Sequence, residues 1–158
     1  MLSGDRFSMS RFLFLLCFVG SALMLSTLSA QACKQPSDED LFVKASAVFL
    51  ARVVRTEEAW GVTPLGDAPE TIVEGTLRVI EVFKGQSPKD AKVKAPAALP
   101  CGPVPLWTAM DYVFFLYDDH NFLLPNGGSA PLGKPFDGLF GGRERLLEKL
   151  RALARNTK

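Results

Sequence analysis

The chain has only one histidine, His120, and only three cysteines, Cys17, Cys33 and Cys101, in 158 residues. A single imidazole excludes the multi-histidine zinc sites of hydrolytic metalloenzymes. A Ser/His/carboxylate site would have to recruit His120 from Asp118-Asp119-His120-Asn121, a run whose composition reads as a hairpin turn. Neither sign of charge is in excess, since 18 basic and 17 acidic side chains leave a formal net charge of +1. That balance argues against nucleic acid as the main partner. Long apolar runs are also missing, except for one from Phe12 to Leu28.

Arg6 and Arg11 lie at or before the start of that run and Ala30-Gln31-Ala32 follows it, which is the layout of a secretory leader over residues 1–32. The run is 17 residues long, near the lower limit for spanning a bilayer, and the small residues before the cut favour removal over anchoring. No later segment is long enough to cross a membrane, so the expectation is a secreted or periplasmic protein. Removing 32 of 158 residues leaves 126, enough for one domain around one core. Loss of Arg6, Arg11 and Asp5 makes that remainder neutral, with 16 basic and 16 acidic residues.

Cys17 leaves with the leader, and Cys33 and Cys101 remain in an oxidising compartment where an even pair normally forms a disulfide. The bridge would close a loop of about 68 residues, for which chain-entropy arguments give on the order of 4 kcal/mol. Cys33 also stands first after the cut, where lipidation of its sulfur would anchor the protein to a membrane and leave Cys101 unpaired. Ala30, in the place of a large aliphatic residue, and Gln31 count against lipidation, but both fates stay open.

Ser37 followed by Asp38, Glu39 and Asp40 predicts an N-capped short helix running to Lys44. Ala47 to Val54 (AVFLARVV) predicts a first strand, buried on both faces, and Ala59 to Pro69 a loop that places Trp60 in a contact position. Glu70 to Phe83 alternates as a strand until the adjacent pairs Val79-Ile80 and Val82-Phe83 break its phase, which with Gly75 predicts a bent, bulged strand. Further short strands are expected at Ala91 to Ala95, Asp111 to Tyr117 and Phe122 to Leu124, with Trp107 in the core. Five strands without intervening helices indicate an all-β barrel over residues 33–140. Residues 141–158 then supply a helix from Arg143 to Arg155, whose Leu146, Leu147, Leu150 and Leu153 form a stripe that docks on it. Its cationic surplus reads as a solvated face, with an acidic partner or anionic lipid as the alternative.

Gly128-Ser129-Ala130-Pro131-Leu132-Gly133-Lys134 has the spacing of a phosphate-binding loop, but Pro135 occupies the hydroxyl position, so a surface loop explains it. Glu57, Glu58, Glu70, Glu74 and Glu81 are numerous without forming a recognisable acid and base pair. Nothing here indicates an enzyme or a cofactor.

Cys33, the short helix, Ala47-Val-Phe-Leu-Ala-Arg-Val-Val54, Val82-Phe-Lys-Gly85, Cys101-Gly102 and Asp111-Tyr-Val-Phe-Phe115 occur in an order that resembles a bacterial relative of the tissue inhibitors of metalloproteinases. The likeness runs from Cys33 to Ser129. It implies a netrin-like domain, a five-stranded OB-fold-like Greek-key barrel with a short N-terminal and an amphipathic C-terminal helix. It also implies a Cys33–Cys101 disulfide, with the free amine and carbonyl of Cys33 chelating the catalytic zinc of a target protease. Lys34 would then face the specificity pocket, and Leu99 and Pro100 would line the adjacent ridge. The family commonly begins Cys-x-Cys; here Gln35 stands third, and Asn126-Gly127-Gly128-Ser129 lacks the matching cysteine. The alternative expectations are an envelope module that binds another protein or a glycan without inhibiting anything, and a lipoprotein anchored at Cys33.

Overall fold

A computed structural model of the chain describes residues 36–64, 66, 68–97, 105–117, 121–124, 126–133 and 142–157. Ser37 caps helix α1 (Asp38–Lys44), its hydroxyl accepting the Asp40 amide at 3.2 Å while three acidic residues occupy the first turn. At the other end the Lys84 ammonium donates to the carbonyls of Phe42 and Val43, each at 2.8 Å. A short helix leaves those carbonyls without intrahelical partners, so the lysine closes the end that the sequence does not cap.

Five antiparallel strands follow: β1 (Ala47–Val62), β2 (Pro69–Lys84), β3 (Lys92–Pro96), β4 (Asp111–Leu116) and β5 (Ala130–Leu132), in the sheet order β3-β2-β1-β4-β5. The first three form a meander, and the fourth returns to lie beside the first, which is a Greek key. The class is the expected one, mostly β with two helices, but among the described residues the sheet is not closed into a continuous barrel. Beyond β3 a parallel bridge joins Lys94 to Phe122, made by the Lys94 amide to the Asn121 carbonyl at 2.9 Å and the Leu123 amide to the Lys94 carbonyl at 2.7 Å.

Three other expectations are corrected. Phe122-Leu124 contributes only that bridge, and the fifth strand lies at Ala130–Leu132, where Pro131 is tolerated because the strand is at an edge. The first strand continues to Val62, so Trp60 is a strand residue and the loop is shorter than Ala59 to Pro69. Trp107 is 41 % exposed, and Tyr112 fills the core in its place.

The phase breaks in β2 are bulges. The β1–β2 register skips Phe83 between Val48 and Phe49, Ile80 between Leu50 and Ala51, and Val54 on β1 between Val53 and Arg55. Each extra residue bends the pair and turns the next side chain to the other face. The sheet therefore buries two cores. Phe49, Val53, Tyr112 and Phe114 point to one side with Leu77 and Val93. Val48, Leu50, Val113 and Phe115 point to the other, beneath α1 and helix α2 (Arg143–Asn156). Burial on both faces is why β1 and β4 read as continuous apolar runs.

Helix α2 lays Leu146, Leu147 and Leu150 on this second core. Three of its cations are used internally. Arg143 meets Asp111 at 3.1 Å, Lys149 meets Asp38 at 2.9 Å and Glu39 at 3.0 Å, and Arg151 meets Glu81 at 2.7 Å. These pairs bind α2 to β4, α1 and β2, and they lower the Glu39 and Glu81 pKa values, through hydrogen bonds from Lys149 and Arg151 respectively. No helix among the described residues is long and apolar enough to cross a membrane.

Candidate functional site

Cys33, Lys34, Leu99, Pro100 and Cys101, the residues assigned to the wedge and its disulfide, lie outside the described residues, as does His120. Ala97 leaves β3 with its amide on the Thr71 carbonyl at 3.0 Å, level with Trp60 across β2. Where the chain returns, the Tyr112 hydroxyl donates to the Pro105 carbonyl at 2.5 Å and accepts the Trp107 amide at 2.8 Å. Leu106 is buried against Gly75, where an added Cβ would lie 3.1 Å from its Cδ1. Ala109 then donates to the Val53 carbonyl at 2.7 Å with a positive φ of 68°. The described residues that flank residues 98–104 are thus bonded to Thr71 on β2, Val53 on β1 and Tyr112 on β4. Burial raises the pKa of Tyr112, so its hydroxyl stays protonated and able to donate.

Around Asp111, which opens β4, a carboxylate only 5 % exposed accepts from Arg52 at 2.6 Å and 3.1 Å and from Arg143 at 3.1 Å. The Arg52 guanidinium is the larger cause of the lowered Asp111 pKa, and Arg143 adds to it. This is a structural clamp between β1, β4 and α2, with every oxygen of the carboxylate engaged.

The segment that resembles a phosphate loop is used structurally as well. Ser129 accepts the Phe115 amide at 2.9 Å and donates to the Phe115 carbonyl at 3.3 Å, and Ala130 to Leu132 is a buried edge strand, not a surface loop. Its hydroxyl and backbone are therefore committed to the sheet. Nearby, the Tyr117 hydroxyl donates to the Gly127 carbonyl at 2.8 Å, and burial pushes its pKa up to about 12.

A cleft of about 590 Å³ opens on the outer half of the β1–β2 hairpin, lined among others by Trp60, Ile72, Glu74, Lys94 and Phe122. The sequence singles out Trp60 as a contact residue; it is 73 % exposed. Lys94, Ile72 and Phe122 escape sequence reasoning, because the register that places Glu57, Glu74 and Lys94 in one row becomes visible only once the strands are paired. Among the described residues no group of three or more His, Cys, Asp or Glu side chains is placed to hold a metal ion. Comparison with protein families and with curated proteins finds no family model and no protein that matches this chain.

Proposed function

We propose that the chain is an exported, single-domain binding protein that inhibits a zinc metalloprotease through its N-terminal wedge. The observation that supports this reading is the Greek-key order of the strands, β4-β1-β2-β3, with Cys101 in the chain that joins β3 to β4 and the described flanks of that chain, Ala97 and Pro105, bonded to Thr71 and Tyr112. That strand order is what the resemblance implies, and in it Cys101 would tether the N-terminus.

The chemistry follows from the atoms. After cleavage, Cys33 has a free α-amine and a carbonyl oxygen one residue unit away. At neutral pH a share of the amine is unprotonated, and the two atoms together can displace the water on a catalytic zinc, which keeps an open coordination position for substrate. A disulfide from the same residue to Cys101 fixes both ligands before binding, so less ordering entropy is lost on association. The metal belongs to the target. Lys34 enters the specificity pocket and Leu99 with Pro100 flank it, which selects a protease whose pocket accepts a cation.

Two measurements test this. Intact mass of the mature protein from its native host should give an unmodified Cys33 terminus with two fewer hydrogens than the dithiol form; a diacylglycerol mass overturns the proposal, because a Cys33 sulfur held in a thioether cannot bridge to Cys101. Inhibition across a panel of zinc proteases should be lost when one alanine is placed before Cys33. Equal potency of the extended and normal proteins, or no inhibition of any member, excludes the wedge.

A further inference from the structure

We infer that the outer edge of β1, from Arg55 to Val62, takes up an extended segment of a partner protein as an added strand, with one arginine of that segment held between Glu58 and the Trp60 indole. This surface is separate from the Cys33 wedge and does not depend on it.

The sheet leaves this edge open. β4 pairs with β1 only as far as Arg52, and Val53 then donates to the Met110 carbonyl at 3.0 Å and accepts the Ala109 amide at 2.7 Å. The Thr56 and Thr108 hydroxyls meet at 3.3 Å, and beyond them no described strand runs along β1 on the side away from β2. There alternate residues present backbone N–H and C=O groups outward, the template on which an extended chain adds as a strand. Natural edges are blunted by lysine, proline or a bulge, and past the bulge at Val54 this one has none of the three before its end at Val62.

The two faces of the hairpin differ in charge. The register has no shift beyond Arg55, so Thr56, Glu58, Trp60 and Val62 share one face with Gly75, Val73, Thr71 and Pro69 opposite them, and with Val93 and Ala95 on β3. Glu58 is the one charged side chain in that set. The other face carries Arg55, Glu57, Glu70, Glu74, Lys92 and Lys94 beside the cleft floored by Ile72 and Phe122, and there Arg55 pairs with Glu57 and Lys92 with Glu74. A carboxylate among uncharged neighbours favours an incoming cation, and on these three strands no cation shares its face.

The indole makes that cation a guanidinium. Glu58 and Trp60 stand two positions apart on one strand, about 7 Å, and both are exposed, as is Val62 beyond them. A planar guanidinium seated there stacks on the indole and donates to the carboxylate, whereas an ammonium acts only as a point charge. Two residues further along the added strand, an apolar side chain covers Val62.

Other occupants fit less well. A second copy joined along the same edge by a two-fold axis lays the same face alongside, and that face supplies no cation to Glu58. Nucleic acid and anionic lipid meet Glu57, Glu58 and Glu70 on these strands.

The test titrates the mature protein with end-blocked hexapeptides of alternating Thr and Val that carry one Arg at each position in turn, following binding heat and amide exchange of residues 57–62. Controls replace Arg by citrulline or by Glu, or methylate either set of alternate peptide nitrogens. The expected result is binding of at least one arginine peptide with slowed exchange at alternate amides of this edge, weakened tenfold or more by citrulline, by Glu58→Gln and by Trp60→Ala. Glu58→Lys should instead prefer the glutamate peptide, an exchange of preference that a damaged fold does not produce. Glu70→Gln on the other face, and an alanine placed before Cys33, should leave binding unchanged, so failure of the protease reading and failure of this one are distinguishable. No binding across the panel, equal binding of arginine and citrulline peptides, indifference to both methylation sets, or self-association in sedimentation that Trp60→Ala abolishes each overturns the proposal.

Discussion

Arg52 on β1 and Asp111 on β4 lie directly opposite each other in the sheet, 59 positions apart in the chain, with the arginine Nε 2.6 Å from one carboxylate oxygen. Because Arg143 takes the other oxygen, this carboxylate joins two strands and the C-terminal helix. Asp111→Asn is predicted to cost about 1.5–3 kcal/mol at neutral pH, the range for hydrogen bonds to charged groups. The lower end applies, since both guanidiniums are more than a third exposed and water can solvate them once released. The sign of the pH effect follows from the lowered Asp111 pKa. Its contribution is complete above the ordinary aspartate value of about 4 and disappears as pH falls through the lower folded-state value. Urea unfolding at pH 7 and pH 2 should therefore show the wild-type advantage over Asp111→Asn shrinking; an advantage that stays constant refutes the clamp.

Tyr112→Phe removes a donor to Pro105 and an acceptor for Trp107 without leaving a cavity. The predicted loss is about 1–3 kcal/mol, because the two backbone groups lose a buried partner. The more specific expectation concerns amide exchange: the Trp107 amide should exchange faster than in the wild type, while the Phe114 amide, in the middle of β4, keeps its relative protection. If the wedge reading holds, the same variant also weakens protease inhibition, since Pro105 and Trp107, between Cys101 and β4, lose their bonds to Tyr112.

Ala91 and Ala109 have positive φ values of 51° and 68°. A Cβ in the left-handed region costs roughly 1–2 kcal/mol, of which the greater unfolded-state freedom of glycine returns only part. Ala91→Gly and Ala109→Gly are each predicted to stabilise the protein by about 0.5–1 kcal/mol. A lowered urea midpoint for both would show that the strain is relieved elsewhere in the chain.

Gly128→Ala is expected to be among the most damaging small changes. Gly128 has a φ of 84°, and a Cβ on it would lie 2.5 Å from Leu41 Cδ1 on α1. Strain and overpacking add to about 2–4 kcal/mol. Combining it with Leu41→Ala should recover none of the backbone strain, so the double variant stays less stable than Leu41→Ala alone. Equal stability of the two would mean that the clash was the whole effect.

Much of the fold is legible in the sequence where local chemistry and tertiary burial agree. Ser37 with its three acidic followers announces α1, Val79-Ile80 and Val82-Phe83 mark the bulges, and the doubly buried β1 and β4 show as unbroken apolar runs. Reading fails where a strand is held by its neighbour instead of by its own composition. Residues 55–62 (RTEEAWGV) are polar, contain Gly61 and are largely exposed, so they resemble a loop, yet β2 supplies a ladder out to Val62. Ala130–Leu132 hides for the opposite reason, since Pro131 masks an edge strand whose pairing to β4 is tertiary. At the site, Trp60 is visible as an aromatic beside glycine. Lys94 is not, because only strand pairing puts it in a row with Glu57 and Glu74.

The double burial of β1 also bears on how the chain reaches this state. Its hairpin partner β2 follows it directly, whereas β4 arrives only after β3 and the whole segment containing Cys101 have been traversed. Before that return, Val48, Phe49 and Leu50 form an apolar strand edge with no partner, the kind of template on which neighbouring chains pair. The slow step of folding and the main aggregation hazard are therefore expected to share one seam, between β1 and β4. A substitution that loosens this seam should show first as a lower yield of folded protein and only later as a lower equilibrium stability.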